Sequence, residues 1–262
     1  MRTTSNPAFK NLPTGGGYAN FDYGRTGQGS PFGQAPAAQA ARPMTIDDVV
    51  TKTAITLVLT ALTGTLTYLA AAPGLALPAA LIGFVISLVI VFRKKVSPAL
   101  VIAYSLVEGV FLGGISYVFA NMFARALGPG VIVQAVAGTL GVFAAMLVVY
   151  KTGAIRVTPK LTKWIIGAIA GVAVLMLVNL LMSFFIDGGL GLRQPTGLGI
   201  AFSLLCIGIA AFSFLLDFDA ADRAIRSGVD SRFAWYIAFG LMTTLVWLYL
   251  EFLRLFSYLQ SD

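Results

Sequence analysis

The residues that could do chemistry in this chain are its acids, and the most exposed to question is Glu108. It sits at the centre of YSLVEGVFLGG, residues 104–114, inside an apolar run long enough to cross a bilayer. A carboxylate in hydrocarbon costs several kcal/mol even on the mildest insertion scale, so it must face protein or water. About ten residues into its run, Glu108 lies roughly 15 Å deep. Two readings are open: a protonated acid that hydrogen-bonds a neighbouring helix, or an ion or proton site.

Two further acid groups lie at the ends of apolar runs. In LLDFDAADRAI, residues 215–225, Asp217 and Asp219 are two apart. That spacing is about 200° around a helix, so the two side chains cannot both point into a bundle. Asp222 can share the face of Asp219, and with Arg223 and Arg226 following it reads as a solvated helix end. In WLYLEFLRLF, residues 247–256, Glu251 and Arg254 share a helix face. They either pair with each other or leave Glu251 turned inward toward another acid. Asn179 and Ser183 share a face of another run and are expected to serve interhelical hydrogen bonds, with Asn179 and Arg254 as supporting polar groups.

Histidine is absent and Cys206 is the single cysteine. Ser-His and Cys-His catalysis, histidine metal ligation and a disulfide framework are thereby excluded. No Gly-rich phosphate loop is present, and Gly197-Leu198-Gly199 is followed by Ile200 rather than the aspartate of an intramembrane aspartyl protease. The expectation is a protein that is not an enzyme, needs no cofactor, and responds to pH, if it does, through carboxyl groups alone.

The elements that must position these acids follow from composition. Of 262 residues, 58% are hydrophobic and 11% charged, with a mean hydropathy of +0.85. Soluble domains carry about 25% charge, so this is an all-α integral membrane protein. Seven apolar runs, near 50–72, 75–92, 98–123, 130–150, 164–186, 197–218 and 233–256, can each span about 30 Å. Residues 1–44 have no apolar period and read as a disordered cytoplasmic tail with scattered aromatics, leaving 45–262 as the transmembrane domain. Thr45 with Asp48 three residues on is a helix-start pattern. Gly109 with Gly113, and Gly167 with Gly171, have the spacing that lets helices approach closely.

The basic excess, 18 Lys/Arg against 11 Asp/Glu, lies in short loops, as the positive-inside rule requires, and not in a nucleic-acid patch. With the N-terminus cytoplasmic, the inner loops hold Arg93, Lys94, Lys95, Lys151, Arg156, Lys160, Lys163, Arg223, Arg226 and Arg232. The outer side holds Arg125, Arg193 and Arg254. This places the C-terminus outside.

Taken in order, MTIDDVVTKTA, YSLVEGVFLGGIS, LLDFDAAD and WYIAFGLMTTLVWLYLEFLRLF resemble the Bax inhibitor-1 family, in particular its bacterial YccA-like branch, over residues 44–259. The resemblance implies a seven-helix bundle, a multi-pass protein of the bacterial plasma membrane that acts as a pH-sensitive calcium leak. It also implies a latch of two buried carboxyls that share a proton, since two close acids in low dielectric cannot both ionise cheaply. By motif the latch acids are Asp219 and Glu251, with Ca²⁺ held by the same pair. Should these not meet, Glu108 is the partner for an acid at Asp217 or Asp219, and Glu251 belongs to Arg254. Relatives are associated with stress protection and with a membrane AAA protease, which makes a non-transporting regulator that binds a partner the alternative.

Overall fold

A computed structural model describes residues 42–93, 96–121 and 128–260. The tail expected over 1–44 lies outside them except for its last three residues, as do the loop cations Lys94, Lys95 and Arg125. Each apolar run becomes one helix: α1 Ile46–Leu69, α2 Ala76–Phe92, α3 Pro98–Asn121, α4 Gly130–Thr152, α5 Pro159–Met182, α6 Gly197–Arg226 and α7 Ala234–Leu259. All seven, α2 counted with the turn Pro73–Leu75 that leads into it, are long and apolar enough to cross a bilayer, where only a helix that satisfies its own backbone, or a closed barrel, can stand. The described domain is a seven-helix membrane bundle.

Local chemistry sets the helix ends. Thr45 Oγ1 accepts a hydrogen bond from the Asp48 amide, and Asp48 Oδ2 accepts one from the Thr45 amide at 3.1 Å. This reciprocal cap starts α1. Thr158 caps α5 and Pro159 occupies its first position, where a missing N–H costs nothing. That places the start of α5 five residues before the apolar run expected at 164. The sixth helix extends eight residues beyond its expected end at 218. Its polar turn pairs internally, Asp219 with Arg223 at 2.9 Å and Asp222 with Arg226 at 2.8 Å, so the helix continues past its apolar surface.

The seventh helix is the hub. It packs against α1, α3, α4 and α6, and Met242, Leu248 and Leu253 on it are fully buried. A helix with neighbours on this many sides belongs in the middle of a bundle, and its polar groups must find partners there. The closest helix pair is α1 with α3. A methyl group at Gly109 would overlap Thr63 Oγ1 and the Thr60 carbonyl, and one at Gly113 would overlap the Gly64 carbonyl and lie 2.8 Å from Thr67 Cβ. These two glycines are contact points, as their spacing implies. Gly167 and Gly171 are not: a methyl at either would meet nothing within 4 Å. Helix α5 packs chiefly on α6 and turns its glycines outward, so the same spacing marks a contact in one helix and none in the other.

Arg42–Met44 form a short strap across the α6–α7 turn. Met44 N donates to Val229 O at 2.8 Å, and Ser231 N to Arg42 O at 3.0 Å. Lys52 on α1 donates to the Ser231 carbonyl as well. The start of the domain is thereby tied to the connection between its last two helices.

Candidate functional site: carboxylates inside the bundle

The acids singled out in the sequence occupy three separate environments. Glu108, on α3, is 8% exposed. Its Oε2 lies so near Gly83 of α2 that a methyl there would approach to 3.1 Å, so glycine at 83 makes room for the carboxyl. The acid borders a cavity of about 250 Å³ between α2, α3 and α7. Ser87, Tyr104 and Thr243 bring hydroxyl groups to that cavity, and Phe84 and Phe111 bring apolar faces. Tyr104, one turn before Glu108, interacts with it directly, and with Thr243 across on α7.

Asp217, on α6, faces α7. Its Oδ2 accepts a 2.7 Å hydrogen bond from Thr244 Oγ1, and Gly240 one turn earlier leaves space for Oδ1. Among the described residues no Lys or Arg lies within ion-pair distance of Glu108 or Asp217. The two acids stand on different flanks of α7: Thr244 bonds Asp217, and Thr243, whose hydroxyl donates to the Phe239 carbonyl at 2.9 Å, lines the cavity beside Glu108. Neighbouring residues on a helix point about 100° apart, so one short segment of α7 reaches both.

Glu251, on α7, is 1% exposed and forms a closed ion-pair group. Arg193 Nη1, from the α5–α6 loop, donates to both of its oxygens at 3.0 and 3.1 Å. Arg254 Nη1 donates at 2.9 Å. The Arg193 guanidinium is itself seated, with Met176 Sδ accepting from Nε at 3.0 Å and the Phe202 ring 5.6 Å away. The Ser203 hydroxyl, buried and without a hydrogen bond of its own, faces the same carboxylate.

This arrangement corrects the expected latch. Asp219 and Glu251 are not brought together, so the pair does not form the shared Ca²⁺ site in this structure. Glu251 lies beside Ser203 and Cys206 of α6, whereas Asp219 is thirteen residues further along, about 20 Å at 1.5 Å per residue. Each acid is already matched by arginine, Asp219 by Arg223. Asn179 is also relocated: its Oδ1 accepts from Leu190 N at 3.0 Å, fastening the α5–α6 loop and not a neighbouring helix. Ser183 bonds the Leu180 carbonyl of its own helix.

Four participants escaped the sequence reading. Arg193 carries no local signal, since its partner is 58 residues away. Thr243 and Thr244 sit in an apolar run with no charged residue beside them to mark a site. Tyr104 was open to inference, because it precedes Glu108 by four residues, the spacing of helix-face neighbours.

A bundle of seven apolar helices with acids lodged between them defines a multi-pass integral membrane protein whose interior is partly polar. The chain belongs to the Bax inhibitor 1 like family, whose model matches residues 7–261. Comparison with curated proteins gave no match.

Proposed function

We propose that this protein is a pH-sensitive calcium (cation) leak, with its basic end toward the cytoplasm, and that Glu108 and Asp217 are the carboxyls whose protons govern conduction. The observation that carries this reading is their shared setting. Both lie within spans, both have hydroxyl groups as neighbours with no Lys or Arg within ion-pair distance among the described residues, and both adjoin one stretch of α7. A hydroxyl can donate to a carboxylate or accept from a carboxylic acid, so such a site keeps a hydrogen bond in either state. Exchanging the proton reverses the direction of that bond and changes how α7 is held against α3 or α6. Oxygen ligands without competing cations also suit passage of a hard divalent ion.

The test is Ca²⁺ entry into proteoliposomes at two pH values either side of neutrality. Glu108→Gln and Asp217→Asn are each expected to bring the ratio of the two rates toward one. Asp219→Asn is expected to leave that ratio as in the wild type. An unchanged pH profile in both of the first two variants would refute the assignment.

A second reading, a non-transporting stress-response regulator that binds a partner such as a membrane AAA protease, is supported by the strap at Arg42–Met44. It links whatever engages the preceding residues to the α6–α7 turn. Purified protein that carries no Ca²⁺ in liposomes, yet retains a protease partner in pull-down, would favour it.

A further inference from the structure

We infer that the end of the bundle where α4 and α6 terminate holds a binding site for a phosphate-bearing anion. The site is separate from Glu108 and Asp217. Gly153, with φ of 67°, ends α4 and turns the chain back, which carries Arg156 to the same cavity as Lys151 on the last turn of α4. Arg223 and Arg226, from the polar end of α6, complete four cations around a volume of about 480 Å³. That size is within the range of small-ligand sites, ~300–1,000 Å³.

The charges are arranged unequally. Asp219 and Asp222 also line the cavity, but each engages one guanidinium Nη2 of the arginine four residues on. A guanidinium has five N–H donors in a planar fork, so both arginines retain donors beyond those pairs. Lys151 and Arg156 have no acid within ion-pair distance among the described residues and are left as uncompensated positive charge. Clustered guanidinium and ammonium donors match the oxygens of a phosphate. The cavity also stands where the apolar runs stop, at Val148-Val149-Tyr150 on α4 and Phe218 on α6. That is headgroup depth, and basic pockets between membrane helices at this level suit anionic lipid. A soluble phosphate compound would offer the same chemistry.

Binding of phosphatidylglycerol to the full chain in uncharged detergent, followed by native mass spectrometry, tests the site without a charged bilayer surface. The wild type is expected to retain the lipid saturably. Lys151→Gln with Arg156→Gln is expected to weaken retention about thirtyfold, the product for two basic side chains near a headgroup. Both residues are exposed, so the variant is expected to keep the wild-type melting temperature, and Lys151→Arg with Arg156→Lys to restore binding. Lys160→Gln with Lys163→Gln removes equal charge from the start of α5, outside the cavity. An equal loss in that control would show general charge attraction and overturn the site. So would failure of both phosphatidylglycerol and inorganic phosphate to bind. Competition by millimolar inorganic phosphate would support the site and assign its ligand to soluble phosphates; lipid binding that phosphate cannot displace would assign it to the headgroup.

Discussion

Glu251→Gln is expected to destabilise the bundle by about 3 kcal/mol, because removing one member of a buried ion group strands the others. Glu251 is 1% exposed, and Arg193 and Arg254, at 25% and 19%, both depend on it. A neutral amide would leave two guanidiniums facing each other with one weak acceptor between them. The loss also reaches beyond α7. Arg193 is the point at which the α5–α6 loop is fastened into the bundle, so freeing it loosens α5, which otherwise packs chiefly on α6. Denaturant unfolding in detergent micelles measures the change. The combined variant Arg193→Met, Glu251→Leu, Arg254→Met is expected to be more stable than Glu251→Gln alone, since apolar side chains bring no stranded charge. A single-variant loss below about 1 kcal/mol, the range of a solvent-exposed pair, would mean that the group is hydrated and does not clamp the loop.

The second large effect belongs to Gly113. Its replacement by Ala is expected to cost about 3 kcal/mol, at the upper end for overpacking. The added methyl meets the Gly64 carbonyl and Thr67 Cβ on α1. Backbone cannot rotate away as a side-chain tip can, so α1 and α3 must separate along their length. That would also displace Thr60, whose hydroxyl reaches the Ser105 carbonyl at 3.0 Å across the same interface. Gly167→Ala is the matched control. It adds the same methyl in a helix where nothing lies within 4 Å, and the better helix propensity of alanine predicts no loss. Equal destabilisation by the two changes would mean that helix propensity or α5 packing, and not the α1–α3 contact, sets the cost.

Much of this architecture was legible because membrane insertion imposes a length and an apolar composition on each span. Seven runs gave seven helices, and the third and fourth began at residues 98 and 130 as expected. Where the reading drifted, polar residues had continued a helix. The Asp219–Arg223 and Asp222–Arg226 pairs lengthen α6, and Thr158-Pro159 starts α5 among lysines. Hydropathy alone has no means of counting such turns. Glu108 was legible as an acid that cannot face lipid, and Arg254 as a neighbour within reach of Glu251. The pairing of Arg193 with Glu251 was not, because a loop residue finds its partner through tertiary packing and leaves no spacing to read. The motif-based match of Asp219 with Glu251 failed for a related reason. Sequence motifs place residues on helices but do not specify how far one helix is offset along another.

Thr243 and Thr244 leave α7 little freedom to answer one acid without the other. Their hydroxyls are fixed to a single rigid rod, and swivelling that rod to tighten its grip on Asp217 sweeps the adjacent hydroxyl relative to Tyr104 and Glu108 by the same angle. On the proposed function, a proton exchanged at one acid would be felt at the other through this shared rod, with no contact between the two carboxyls.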